Sequence, residues 1–194
     1  HAQWSTNEKV ALDVAIGASF AGARALAAMK HVGLNVAADS LMSQTYIGVN
    51  GGLVIVVADD PGIHSSQNEQ DTRFYGQFAQ VPVLEPSDAQ EALEFTRLAF
   101  DLSERFDTPV IVRTTTRLSH TRSTVELGAR REVAARGFVD DRAKNVMIPV
   151  NARPRHVALI EREGRLAEFL RDAPLNRIEM RDPALGVITA GTCY

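Results

Sequence analysis

The order of apolar and polar positions along the chain predicts one dominant strand. Residues 53–57 are five consecutive apolar residues that follow a pair of glycines, and the run ends soon afterwards at Asp59, Asp60 and a Pro-Gly pair. An apolar run rich in β-branched side chains and closed by turn residues is typical of a strand buried on both faces of a parallel sheet. We therefore predict a central strand over residues 53–58.

Strand and helix signals alternate along the rest of the first 116 residues, which indicates a parallel sheet covered by helices on both faces. The connector that follows, residues 117–150, has many arginines and few apolar runs, and we expect it to cross the domain surface in an extended form. Apolar spacing, caps and breakers predict helices over about 7–22, 35–46, 74–78, 89–106 and 154–170, and strands over 26–29, 53–58, 81–84 and 110–114.

The same pattern divides the chain into three parts. Residues 1–128 are predicted to form one α/β domain, and residues 129–184 a linker that contains a helix. The apolar run 185–191 is predicted to be a strand that begins a second α/β domain, in residues 185–194. We therefore expect the chain to be part of a longer protein.

Composition narrows the functional classes. The net charge is −3 and the arginines near residues 130–136 are interleaved with acids and alanines, so we expect no nucleic-acid partner. The single cysteine, Cys193, excludes a disulfide framework and a cysteine-rich metal or iron–sulfur site within these residues. No apolar run reaches the ~20 residues that cross a bilayer. These features predict a cytoplasmic protein without a membrane partner.

Polar residues follow the ends of two predicted strands, at residues 30–35 and 61–73, and ligands of parallel α/β sheets bind beyond such strand ends. Asp59 and Asp60 have two possible roles. They could form a metal or phosphoacceptor site, but adjacent strand residues point to opposite faces, so one of them is expected only to cap the following turn.

Three further groups of residues could have either a chemical role or a purely structural one. His64, Ser65, Gln67 and Asn68 offer a base, a hydroxyl and amides, which leaves a hydrolytic Ser-His-Asp set open beside ordinary loop polarity. Lys30 and His31 could bind an anion or be plain loop residues. From the residues alone, Glu8 is best explained as an acid in the first turn of a helix that complements the helix dipole.

Several long segments, in the same order, resemble the α subunits of the indolepyruvate ferredoxin oxidoreductases, which are thiamine-diphosphate-dependent 2-oxoacid:ferredoxin oxidoreductases. The resemblance covers residues 1–128, and it extends to Asn176–Glu179 and the terminal apolar run. The segments are Trp4 to Ala11, Met29 to Asp39, Val56 to Pro61, His64 to Asp71 and Arg113 to His120.

The resemblance implies a pyrimidine-binding domain, whose parallel-sheet fold holds the aminopyrimidine half of thiamine diphosphate. In this family a glutamate hydrogen-bonds the pyrimidine N1′, and Glu8 stands at that place, so Glu8 is the expected catalytic and cofactor-binding acid. We also expect Trp4 and apolar neighbours to bury Glu8. The other expected site residues are Lys30, His31, Gly33 and Asn35 for the cofactor, and His64, Ser65, Gln67 and Asn68 for the substrate cavity.

The sequence departs from the family in what it lacks. The first strand with its Gly-Pro-rich loop, the diphosphate- and Mg-binding domain and the cysteine-rich ferredoxin segment are all absent from these residues. No metal ligands are therefore expected in this chain, and Mg, iron–sulfur clusters and CoA are expected only in the complete enzyme. Since the charged diphosphate has no ligands here, we expect the chain to be inactive alone.

The resemblance implies an enzyme that oxidatively decarboxylates an aryl 2-oxoacid, such as indole-3-pyruvate, to acyl-CoA and CO2 with ferredoxin as electron acceptor. Its expected partners are a β subunit or a second copy of the enzyme, ferredoxin and the 2-oxoacid. The competing interpretation is a non-catalytic binding or assembly domain that retains the same fold.

Overall fold

The computed structural model describes all 194 residues and is built around a four-stranded parallel sheet in the order β1-β2-β4-β3. The central strand β2 pairs with β1 on one side and with β4 on the other, and most of its residues are buried. This confirms the predicted fold class. The strands are β1 (Ala25–Lys30), β2 (Leu53–Asp59), β3 (Val83–Leu84) and β4 (Val110–Thr115).

Eight α-helices accompany the sheet, and none of them combines the length and apolar character that a membrane span requires. The predicted helix 89–106 has the same bounds in the structure. Its cap is Asp88, whose side chain accepts a hydrogen bond from the Glu91 amide. The helices are α1 (Glu8–Phe20), α2 (His31–Val36), α3 (Ala38–Ile47), α4 (Thr72–Ala79), α5 (Ala89–Phe106), α6 (Thr116–Ser119), α7 (Arg142–Asn145) and α8 (Pro149–Asp172).

Alternate residues of β2 supply two separate cores, because neighbouring side chains of a strand point to opposite faces. Leu53, Ile55 and Val57 pack in one core with residues of α1, α2 and α3. Val54 packs on the other face with residues of α5 and α8. Helices therefore cover both faces of the sheet, as predicted, although Leu26 on the edge strand β1 remains 44% exposed.

Most predicted boundaries differ from the structure by one to three residues, and two regions differ in a way that has a physical reason. Residues 30–35 were expected to form a loop, but β1 runs directly into α2, which begins at His31 after an extended Lys30. Pro154 was expected near the start of a helix, whereas α8 begins at Pro149 and contains Pro154. Proline at the first helical position is favourable because its missing N–H would have no partner there. The sequence predicts Pro154 as the first residue of the helix, although Pro149 holds that position.

The run 185–191, predicted to be the first strand of a second domain, forms no strand in this structure. Residues 185–190 pair with no strand, and Ile188 is fully exposed. An apolar run becomes a strand only where a neighbouring strand binds its backbone, and this sheet offers none to it. Gly191–Cys193 instead form a short 3-10 helix. The domain boundaries at 128 and 184 stay a prediction.

The connector is largely without regular structure, as expected, and lies along α5. Residues 121–141 form no helix or strand. Arg131 pairs with Asp101, and the Arg136 guanidinium lies 2.8 Å from the Glu104 carboxylate. These ion pairs hold the connector against the surface of α5.

Helix α8 is held to the sheet domain by two arginines that bind carbonyls at helix ends. Arg162 is buried, with 3% of its surface exposed, and it donates to the carbonyls of Thr45 and Asp107. Arg155 donates to Tyr46 and Ile47, the last residues of α3. Cations are favourable at helix C-termini, where carbonyls lack partners. Burial lowers the pKa of Arg162 to about 10, so it remains charged near neutral pH.

We predict that Arg162→Met lowers the free energy of unfolding by about 2 to 4 kcal/mol, because two buried carbonyls lose their donor. Arg165→Met is the matched control, since Arg165 is exposed on the same helix; its effect should stay within about 0.5 kcal/mol. Urea unfolding followed by circular dichroism measures both changes. Equal stabilities of the two variants would contradict the role given to Arg162.

Candidate functional site

The carboxyl edge of the sheet brings together most residues that the sequence singled out. Helix α1 precedes β1 and packs on it in the opposite direction. Ser19, near the end of α1, donates a hydrogen bond to the Gly51 carbonyl at the amino edge of the sheet. Glu8, at the start of α1, therefore lies at the carboxyl edge. The polar loop, which we define as residues 61–71 between β2 and α4, leaves the same edge.

Glu8 is an acid without a partner inside the chain. The cap of α1 is Asn7, whose side chain accepts from the Val10 amide at 2.9 Å, while the Glu8 carboxylate makes no hydrogen bond or ion pair. Its side chain lies against the backbone of Gly33 in α2. A Cβ at that position would stand 3.0 Å from Glu8 Oε1 and closer still to Cγ, so only glycine admits this approach. The carboxylate is thus held in place and available to a ligand.

Burial of Glu8 by Trp4 is not found, because the Trp4 side chain is fully exposed. Glu8 itself is partly exposed. The free carboxylate is therefore positioned by its helix and by Gly33 rather than by an aromatic neighbour.

The other residues expected to bind the cofactor are placed differently from one another. Lys30 Nζ donates to the Ser65 carbonyl at 3.2 Å. His31 is completely buried, with Nε2 3.1 Å from the Asn68 carbonyl oxygen. Asn35 is exposed on α2. Asn35 is accessible to a ligand, and the buried Gly33 adjoins Glu8. The ring of His31 is buried and cannot reach a ligand.

Asp60 organises the first half of the polar loop. Its carboxylate accepts from the amides of His64 at 3.1 Å and Ser65 at 2.8 Å, and from the hydroxyls of Ser66 and Thr116, at 2.8 and 2.7 Å. These donors, the Ser65 amide foremost, hold the pKa of Asp60 well below its usual range. Every donor comes from the chain, so Asp60 is a structural carboxylate.

Asp59 is also fully engaged, on the opposite side of β2. It lies 2.6 Å from Arg113 Nε and accepts from the amide and hydroxyl of Thr72 at the start of α4. Arg113 also pairs with Glu85, after β3. A buried guanidinium with these partners ties β2, β3 and β4 together. The interpretation of Asp59 and Asp60 as a metal or phosphoacceptor site therefore finds no support, and the structural interpretation accounts for both.

The side chains expected to line the substrate cavity are exposed on the polar loop. His64, Ser65, Gln67 and Asn68 all face solvent. A hydrolytic set is not assembled there, because the nearby acid, Asp60, binds the loop's own amides and hydroxyls instead of orienting His64. The polar loop thus exposes polar side chains, while Asp60 holds the backbone of its first half in place.

No group of three or more His, Cys, Asp or Glu side chains is placed to hold a metal ion. A shallow, open depression of about 570 Å³ lies between α5 and α8, with Arg105 and Phe169 among its lining residues, away from the carboxyl edge. Since Arg105 already stacks on Phe169, 4.5 Å from the ring centre, the depression offers little free binding surface. A free carboxylate such as Glu8 is the kind of group that hydrogen-bonds a basic ring nitrogen, as the pyrimidine half of thiamine diphosphate carries.

A parallel sheet with a free acid at its carboxyl edge is consistent with the match of residues 4–162 to a family described as pyruvate flavodoxin/ferredoxin oxidoreductase, thiamine diphosphate-binding. The chain belongs to this family. The resemblance inferred from the sequence is thereby confirmed.

Similar proteins narrow the relationship within the family. Indolepyruvate oxidoreductase subunit IorA of Archaeoglobus fulgidus is 46% identical over 194 residues, and that of Thermococcus kodakarensis 50% over 199; each alignment covers 99% of this chain and 31% of the relative. The chain thus spans about a third of the length of these relatives.

A solved structure supports the fold. The 2-oxoglutarate:ferredoxin oxidoreductase from Magnetococcus marinus superimposes with a TM-score of 0.60 at 16% identity, covering 85% of this chain and 36% of that one. At this identity the likeness shows the fold alone.

Sequence reasoning missed the partners of the two acids. The signal for Asp59 was present, since Arg113 is a lone charge within a buried strand and must find an acid on a neighbouring element. The signal for Asp60 was weaker: the donors are backbone amides and hydroxyls, which leave little trace in a sequence.

We predict that Asp60→Asn loosens the polar loop while the sheet stays intact. Hydrogen exchange of the His64 and Ser65 amides should accelerate, with β2 as internal reference. The control is Asp140→Asn, an acid with a 70% exposed side chain in a weak surface pair. Unaltered exchange at residues 64–65 would contradict the role of Asp60.

The same loop should respond to pH. Because the pKa of Asp60 is lower in the folded state, its stabilising contribution is complete above the ordinary value and is lost as the pH falls through the folded value. Loop protection in the wild type should therefore decline as the pH falls below about 4. In Asp60→Asn the decline due to this carboxyl should be missing.

Proposed function

We propose that the chain provides the aminopyrimidine-binding half of a thiamine diphosphate site, with Glu8 as the acid at N1′. The observation that carries this proposal is the unpartnered Glu8 carboxylate, held against Gly33 at the carboxyl edge of the sheet. An acid that caps nothing and pairs with nothing contributes little to stability. A ligand with a basic nitrogen explains why the fold keeps it in one place.

The proposed reaction is the oxidative decarboxylation of an aryl 2-oxoacid, with indole-3-pyruvate as the substrate to test first. The 2-oxoacid and CoA yield acyl-CoA and CO2, and two electrons pass to ferredoxin. Support comes from the names of the relatives, indolepyruvate oxidoreductase subunit IorA, and from the family match. Ferredoxin as acceptor rests on the family description.

Bound thiamine diphosphate would supply a nucleophilic ring carbon and an electron sink for decarboxylation. The part of Glu8 is to hold a proton at the pyrimidine N1′ and to exchange it during turnover. The part of Gly33 is to let the Glu8 side chain approach α2 without a clash. The side chains of His64, Ser65, Gln67 and Asn68 are exposed on the polar loop, and we place the substrate beside them. Lys30, which donates to the Ser65 carbonyl, and Asn35, which is exposed on α2, complete the proposed set.

The remaining requirements fall to other parts of the enzyme. We place the ligands of the diphosphate and of Mg, together with the iron–sulfur clusters and the CoA site, outside this chain. A partner subunit or a second copy must then complete the cofactor site against the carboxyl edge. The proposed location is the cytoplasm, which suits a chain whose one cysteine is free. A non-catalytic assembly domain would have no use for a free acid at this edge.

The experiment compares hydrogen–deuterium exchange at C2 of thiamine diphosphate bound to the full-length protein. Glu8→Gln keeps the size of the side chain but cannot give or take the proton, so exchange should slow by about 10² to 10⁴-fold. Asp13→Asn is the matched control, an exposed acid on the same helix, and should exchange as the wild type does. If Glu8→Gln exchanges as fast as wild type, Glu8 is only an acid in a first helical turn and the proposed function fails.

A further inference from the structure

We propose that His31 is a positioning residue of this enzyme. Its ring holds the middle of the polar loop at a fixed height above β2, and this sets the place of the Gln67 and Asn68 side chains toward the 2-oxoacid. The ring itself touches neither cofactor nor substrate. The effect of His31 on substrate positioning rests on the proposed function. The contact between His31 and the polar loop rests on the geometry of the chain alone.

The geometry assigns the hydrogen bond. His31 is the first residue of α2 and is completely buried. Its Nε2 lies 3.1 Å from the Asn68 carbonyl oxygen, and its Nδ1 lies 3.5 Å from the Ala58 carbonyl oxygen. Carbonyl oxygens only accept, and a neutral imidazole carries one N–H, so the proton belongs on Nε2, which makes the shorter contact.

The middle of the polar loop has no other such anchor. Asp60 binds residues 64–66 and Asp59 binds Thr72, at the two ends of the loop. Between them, residues 67–70 hydrogen-bond only among themselves and to Gly62, apart from the bond that His31 donates. The position of this middle segment relative to the sheet therefore depends on one side chain.

The neighbouring bond from Lys30 cannot replace it. Lys30 Nζ reaches the Ser65 carbonyl at 3.2 Å in an exposed position, where water competes for the same oxygen. The His31 ring is completely buried, so a variant without a donor at this place leaves the Asn68 carbonyl without a partner from the chain.

The same turn of α2 also adjoins the proposed acid. Gly33, two residues after His31, meets the Glu8 side chain, so the segment 31–33 touches Glu8 on one side and the polar loop on the other. Movement of the loop alone should affect substrate binding and leave proton exchange at the cofactor unchanged. This separates a positioning role from a general loss of stability.

The test uses the full-length protein with its partner subunit and three substitutions. In His31→Gln, the amide Nε2 can reach the Asn68 carbonyl as the ring nitrogen does. In His31→Asn the shorter amide reaches only toward Ala58, and His31→Met fills the space without a donor. His156→Met, at an exposed position on α8, is the control. The measurements are the rate at which a glutamate-specific protease cuts after the exposed Glu69, read by mass spectrometry with other cleavage sites as reference, and steady-state kinetics with indole-3-pyruvate.

We expect faster cleavage after Glu69 in the Met and Asn variants, by about tenfold or more, with the rates at the reference sites unchanged. The KM for the 2-oxoacid should rise about 10-fold or more while kcat stays within about threefold of wild type, because the change removes substrate positioning and not the proton transfer. The Gln variant and the His156→Met control should stay close to wild type in both measurements.

Other results overturn the proposal. If His31→Gln and His31→Met behave alike, the donor at Nε2 does not position the loop. If kcat falls with KM unchanged, the ring takes part in the chemistry. If the wild type turns over no 2-oxoacid, the proposed function fails and cleavage after Glu69 alone decides. Cleavage that is faster in His31→Met and normal in His31→Gln then supports the contact, and cleavage that is unchanged in His31→Met overturns it.

Discussion

The two carboxylates at the end of β2 determine what the carboxyl edge of this sheet can do. Consecutive residues of a strand face opposite ways, so Asp59 points to Arg113 on β4 while Asp60 points into the polar loop. Asp59 neutralises a guanidinium that would be very unfavourable if it were buried alone. Asp60 gathers four donors from the chain and gives the loop its shape. Both acids are fully occupied, and neither is available to a ligand.

This arrangement leaves Glu8 as the free acid of the site. Structural acids in this chain have several donors each, whereas Glu8 has none and is held by the close approach of its side chain to Gly33. The contrast separates groups that build the edge from groups that can act there. His31 belongs with the first kind, because its buried ring contacts the Asn68 carbonyl of the polar loop. The side chains of His64, Gln67 and Asn68 are exposed.

Local sequence signals predicted the elements whose bounds depend only on nearby residues. The apolar run of β2 and the Asp88 cap of α5 define those elements without reference to the rest of the chain, and both were found as predicted. The run 185–191 had the composition of a strand but no neighbouring strand to pair with, which a sequence does not show. Gly33 was singled out by resemblance alone, since its contact with Glu8 depends on how α1 and α2 cross.

The membership of the site stays a prediction. Resemblance named Glu8, His31 and the polar loop residues together, and the structure shows that they differ in burial and hydrogen bonding. The most direct measurement of the central claim is a structure of the full-length protein with thiamine diphosphate and Mg bound. We predict that a Glu8 carboxylate oxygen lies about 2.6 to 3.2 Å from the pyrimidine N1′. An aminopyrimidine bound elsewhere, with Glu8 contacting no atom of the cofactor, would contradict the account.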